Sequence, residues 1–170
     1  MDHNERAEII NGLQSGLDTL FLSIKGLSEA SAMRKPAEGK WSVLECMEHI
    51  ALAEDHMFGQ VASATKVDTP QVNKGREALI RRRGADRTHK IEAPDVARPK
   101  GTFQTLEEAS QHFLASRRRT MEFVRNGNTD LRAMMGIHPI LGPVNCYEML
   151  LIMSAHPFRH SKQIEEIRNP

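Results

Sequence analysis

Ile10, Leu13, Leu17, Leu20, Ile24 and Leu27 recur at alternating steps of three and four, a rhythm that lays them in one stripe along a helix of about seven turns. A helix apolar along one stripe must bury it against another element, and a chain made of such helices folds as a bundle. Three more blocks carry the same code, each opened by a start signal. Ser42 with Glu45 forms a capping box, in which hydroxyl and carboxylate satisfy backbone donors that the first turn leaves unpaired. That second helix is predicted to run to about Thr65. Thr105 with Glu108 opens a third, which turns Leu106, Ala109, Phe113, Thr120 and Val124 inward until Asn126 and Gly127 end it. Asn145 with Glu148 opens the fourth, extending to about Arg168. Over residues 66–104 the periodicity fails, and Pro70, Gly75, Gly84, Pro94, Pro99 and Gly101 punctuate a long connection with one short helix over 76–83. Gly136, Pro139, Gly142 and Pro143 mark a second turn-rich segment before the last helix. No strand and no internal repeat is predicted. The expected fold is all-α, a four-helix bundle in one domain over residues 1–170, with a long connection between the second and third helices.

The 170 residues fit one domain, and 39% hydrophobic residues supply one core. With 23 Lys+Arg against 22 Asp+Glu, the net charge of +1 removes the general electrostatic argument for a nucleic-acid or membrane-surface binder. No long apolar run reads as a membrane span, and the start MDHNERAEIINGL lacks the regions of a signal peptide, so a cytoplasmic protein is expected. Cys46 and Cys146 make neither a disulfide framework nor a CxxC site and are expected to be small buried residues. Eight histidines are the notable excess, since imidazole serves both as metal ligand and as neutral-pH acid or base.

The last helix reads NCYEMLLIMSAHPFRHSKQIEEI, with Cys146, Met149, Met153, Ile164 and Ile167 in its buried stripe. His156 and His160 fall inside that stripe. Four residues apart, their imidazoles leave one face a turn apart, the spacing at which a helix offers two nitrogens to one metal ion. A single buried histidine is ordinarily a core residue bonded to a carbonyl or carboxylate, whereas a pair in one stripe points to ligands. Pro157, between them, removes the backbone bond to Met153 and predicts a kink. Bundle metal sites draw on more than one helix, and on the second helix the candidates are His49 and His56. Periodicity puts both with Glu45 and Gln60 on the polar side, opposite Val43, Met47, Ile50, Met57 and Val61. It neither chooses between them nor buries His49. A polar side lining an open cleft would suit a metal with a free coordination position.

The run GKWSVLE from Gly39 to Glu45 continuing to His49 and Ile50, then HPILG from His138 to Gly142, then His156, Arg159, His160, Gln163 and Ile164 follow in order along nearly the whole chain. In combination they resemble the DinB-like superfamily, which includes YfiT-type proteins described as metal-dependent hydrolases and thiol-dependent transferases. The resemblance implies a four-helix bundle holding one divalent metal ion, usually zinc or nickel, through three histidines, here His49, His156 and His160. It is the resemblance that selects His49 over His56. A site of three neutral imidazoles leaves positions for water or a thiolate, whose pKa the metal lowers. The implied function is therefore a metal-dependent enzyme, a thiol transferase or a hydrolase, using a metal-activated low-molecular-weight thiol or water on a small electrophilic substrate. The alternative is a non-catalytic metal- or ligand-binding stress-response protein. Relatives of this kind also suggest a homodimer.

Two residues are candidate catalytic groups. Glu45, one turn before His49, could orient a ligand or shuttle a proton, although the capping box already gives it a structural task. His138, in the loop before the last helix, could reach the rim as an acid or base, or bond a loop carbonyl. Arg81, Arg82 and Arg83 with Arg87 and Lys90, and Arg117, Arg118 and Arg119, are expected as solvated faces, because no aromatics interleave with them to stack bases. The first cluster could alternatively hold the carboxylates of a thiol cofactor. Trp41 is expected to pack against the start of the second helix, and the nine methionines to fill core.

Overall fold

The computed structural model describes residues 3–89 and 91–169. Four long helices form the bundle: α1 (His3–Ile24), α3 (Val43–Ala62), α5 (Leu106–Asn126) and α6 (Cys146–Arg168). Two shorter ones decorate the connections, α2 (Glu29–Met33) and α4 (Lys74–Gly84). The expected caps are present, since Ser42–Glu45, Thr105–Glu108 and Asn145–Glu148 each close both arms of a capping box. α1 stops at Ile24 because Gly26 takes a left-handed φ of 77°, so Leu27 lies beyond the helix that its spacing suggested.

α6 packs on α1, α3 and α4, and α5 packs on α1 and α3. One core cluster gathers Ile9, Leu13, Met57, Tyr147, Leu150 and Met153, and a second gathers Leu20, Met47, Ile50, Phe113 and Ile164. The α1–α6 contact is close because it is made by glycines. A Cβ at Gly16 would stand 2.9 Å from the Ser154 carbonyl oxygen, and one at Gly12 would stand 3.2 Å from Ser154 Cβ. Cys46 and Cys146 are both buried free thiols, as expected.

The turn-rich segments contain strands that the sequence did not announce. β1 (Thr65–Lys66), β2 (Met134–His138) and β3 (Gly142–Asn145) form an antiparallel sheet in the order β1-β2-β3. These strands are short and carry Gly136 and Pro143, so no run of alternating hydrophobicity existed to be read. The hairpin pairs His138 with Gly142, and Gly142 takes a φ of 68° to close it.

Arg117 corrects the expectation of a solvated basic face. It is fully buried, and its guanidinium donates to Glu54 Oε2 at 2.9 Å, to the Leu13 carbonyl at 3.0 Å and to the Met153 carbonyl at 2.9 Å. Its Nε lies 2.9 Å from Glu54 Oε1 at an angle too oblique for a hydrogen bond. Of its neighbours, Arg118 is exposed and Arg119 pairs with Asp55 at 2.7 Å. The Met153 bond explains how α6 carries Pro157 in its interior. Proline has no N–H to give the carbonyl four residues earlier, and Arg117 supplies the missing donor.

Candidate metal centre

His156 and His160 lie on one face of α6, and His49 faces them from α3. His49 is only 6% exposed although its own helix puts it on the polar side. The connection between α4 and α5 covers that side. His49 Nδ1 bonds the Ala97 carbonyl at 2.7 Å. Beside it Glu48, 1% exposed, accepts from the backbone N–H groups of Lys100 at 2.9 Å, Gly101 at 3.2 Å and Thr102 at 2.8 Å. Burial opposes ionisation of Glu48, and those backbone donors overcome it, holding the carboxyl below its usual range. Glu48 was not singled out in the sequence; its neighbour His49 and the glycine at 101 are the only local hints that a loop would be anchored there.

The ring nitrogens converge. His156 Nε2 stands 3.2 Å from His49 Nε2 and 3.0 Å from His160 Nε2. In a tetrahedral zinc site with Zn–N near ~2.05 Å, two ligand nitrogens sit roughly 3.3 Å apart, so this spacing is close to that of a filled site. The outer nitrogens fix the tautomers. His49 Nδ1–H donates to the Ala97 carbonyl and His160 Nδ1–H donates to Gln163 Oε1 at 2.9 Å, an assignment made from the bonds each ring can form. Both Nε2 atoms therefore present lone pairs to His156 Nε2, which can donate to only one of them. A cation at their meeting point satisfies all of them at once, and the donor set is one that zinc or nickel accepts. Burial is the first cause that lowers all three imidazole pKa values, strongly for His156 and His160, where the neighbouring histidines and Arg159 add to it. Neutral rings are the protonation state that a metal needs.

A cavity of about 1040 Å³ opens over the three histidines. Trp41 lines it and packs against His49 with ring centroids 5.1 Å apart and ring planes tilted by 42°, a placement beyond the packing role expected of it. His138 also lines it, and its Nδ1 accepts from the N–H groups of Ile140 at 3.2 Å and Leu141 at 3.1 Å, amides rather than the carbonyl envisaged. With Nδ1 occupied as an acceptor, neutral His138 carries its proton on Nε2. Burial, helped by the nearby His56, pushes its pKa down to about 4. Glu45 is not among the residues lining the cavity. Its Oε1 bonds Lys35 at 2.8 Å and its Oε2 accepts from the Ser42 N–H at 2.8 Å. Of the first arginine cluster, Arg83 and Arg87 line the cavity, Arg81 pairs with Glu8 at 2.7 Å, and Arg82 is exposed. Lys90 lies outside the described residues.

Comparison with known proteins finds the DinB superfamily, matched over residues 13–164. Among solved structures, the chain is similar to TT2238, described as a four-helix bundle protein, at 19% identity, covering 95% of this chain and 98% of that one with a TM-score of 0.61. It is similar also to YfiT from Bacillus subtilis, described as a probable metal-dependent hydrolase with an unusual four-helix bundle topology, at 14% identity, covering 98% of this chain and 87% of that one with a TM-score of 0.61. At these identities the likeness establishes the fold, a four-helix bundle to which the small sheet is an addition. No functionally curated protein matches.

Proposed function

The chain belongs to the DinB superfamily, and from that premise we propose that it is a metal-dependent enzyme of the cytoplasm that acts on a small electrophilic molecule, with His49, His156 and His160 as the ligands of one divalent ion, zinc or nickel. The observation that carries this reading is the meeting of the Nε2 atoms of His49, His156 and His160, two of them with Nδ1 already committed elsewhere, at the base of a cavity. When bound there, such an ion lowers the pKa of a water or thiol and makes it a nucleophile near neutral pH. The chain's own residues do the rest. The bonds from Ala97 and Gln163 orient two of the imidazoles. The strap pinned by Glu48 keeps bulk water from the α3 side. His138 holds an Nε2–H donor at the cavity wall, placed to bond a developing negative charge. Thiol transfer and hydrolysis share these parts, and YfiT's description favours the second. The free buried thiols Cys46 and Cys146 suit a reducing compartment.

Elemental analysis of untagged protein tests the proposal. Wild type is expected to carry about one zinc or nickel ion per chain, and His49→Ala and His160→Ala to carry little. A wild type that takes up neither metal, even after incubation with each, would leave the histidines as structural residues and refute it.

A further inference from the structure

The cavity above the histidines has a strong charge bias. Lys40, Arg76, Arg83, Arg87, Arg98 and Arg159 border it, and Glu92 is the only carboxylate among its described lining residues. Three of these cations have work already. Arg87 is held by Glu166 at 2.7 Å and by Gln163 at 3.1 Å, Arg76 donates to the Pro143 carbonyl at 3.0 Å, and Arg98 reaches Asp95 at 3.3 Å. Lys40 and Arg83 are exposed, and Arg159 differs from all of these in being buried. It sits on α6 three residues after His156 and directly before His160, is 8% exposed, and makes one hydrogen bond, to the His89 carbonyl at 2.8 Å. Asp86 and Glu166 attract it without forming an ion pair, and Arg87 repels it. Because Arg117 Nε is the one buried side-chain nitrogen or oxygen without a hydrogen bond among the described residues, Nε and Nη1 of Arg159 must open onto accessible space, and Arg159 lines the cavity.

A buried-stemmed guanidinium with a single hydrogen bond and no carboxylate of the described residues within ion-pair distance keeps donors free for an anion entering the cavity. Its planar fork matches a carboxylate with two parallel hydrogen bonds. The mouth of the same cavity carries five exposed apolar side chains, Leu79, Ile91, Val96, Ile140 and Leu141, among the exposed charges of Lys40, Arg83, Glu92 and Arg98. A cation at depth beside the histidines and hydrocarbon at the mouth define a ligand with two ends.

We propose that the cavity binds an amphipathic carboxylate, with the acid group on Arg159 and the hydrocarbon body against the apolar side chains at the mouth. This names the substrate class of the reaction proposed above and rests on that reading for the chemistry, though not for the binding.

Octanoate and its neutral counterpart octanamide are the probes, and calorimetry together with the emission of Trp41, the only tryptophan of the chain and part of the cavity wall, is the readout. Wild type is expected to bind octanoate at least tenfold more tightly than octanamide, both after metal removal by chelation and after zinc loading. Arg159→Gln is expected to lose tenfold or more toward octanoate with octanamide unchanged, and Arg159→Lys to recover part of the loss. Equal binding of acid and amide by wild type overturns the proposal even if the variants fail to fold. So does binding that needs zinc and ignores Arg159→Gln, which would put the carboxylate on the metal and leave the metal reading intact. Arg159-dependent octanoate binding in a protein that takes no zinc would sink the metal reading and keep this one.

Discussion

Arg117→Met should be strongly destabilising. Glu54 would be left buried with no counter-charge, which costs about 3–5 kcal/mol. At about 2–4 °C per kcal/mol for a chain of this size, the melting temperature should fall by roughly 6–20 °C. In Arg117→Met/Glu54→Leu the orphaned charge is gone, and what remains is chiefly the Met153 carbonyl without a donor, a deficit of about 1–3 kcal/mol. Pro157→Ala restores the helical N–H to that carbonyl. Pro157→Ala also raises helix propensity, so the diagnostic quantity is a difference between backgrounds. It should stabilise Arg117→Met/Glu54→Leu by about 1 kcal/mol or more beyond what it adds to wild type, since wild type already has Arg117 on that oxygen. Urea unfolding followed by circular dichroism at 222 nm measures all the species. An equal effect of Pro157→Ala in both backgrounds would show that Arg117 does not serve the Met153 carbonyl. A cost below about 1 kcal/mol for Arg117→Met would refute the buried-pair argument itself.

Other predictions concern the site and its supports. Gln163→Leu removes the acceptor that fixes the His160 tautomer and should weaken zinc binding by about 10–100-fold with little change in the urea midpoint; unchanged affinity in competition with a chelating dye would refute that role. The metal-free protein should lose stability as pH falls from about 6.5 toward about 4. His138 is held down to about 4, and His49, His156 and His160 lie below their usual 6.5, so over that range the unfolded chain binds more protons than the folded one. Urea midpoints at pH 7.5 and 5.5, both above the ordinary carboxylate range, test the sign, and equal or greater stability at 5.5 would contradict it. Gly16→Ala forces a Cβ to within 2.9 Å of the Ser154 carbonyl oxygen and should cost about 1–3 kcal/mol. Gly59→Ala, in a helix with open space around it, should stabilise by up to about 1 kcal/mol; thermal unfolding of the pair separates packing from propensity.

The bundle was legible because its code is local. Capping boxes at Ser42, Thr105 and Asn145 and apolar steps of three and four specify each long helix without reference to any other part of the chain. The pair His156 and His160 was legible for the same reason, being a spacing within one helix. What could not be read is what depends on a distant segment. The arginine run at 117–119 looks alike from inside α5, and only the arrival of Glu54 and the Met153 carbonyl turns Arg117 into a core residue. The strands at 134–138 and 142–145 are held by their pairing and not by their composition.

His49 shows why the polar side of a helix is a poor guide to solvent. Helical periodicity assigns a side to every residue but says nothing about what lies across it. On α3 that side receives a strap from nearly fifty residues further along the chain, and the attachment is made by adjacent residues with opposite hydrogen-bonding capacity. Glu48 accepts three backbone N–H groups while His49 donates to one carbonyl. The same contact that buries His49 also fixes which of its nitrogens carries the proton, and so points the other at His156 and His160. Covering α3 and orienting His49 toward the other two histidines are one event, and a substitution that frees the strap, such as Glu48→Ala, removes both together.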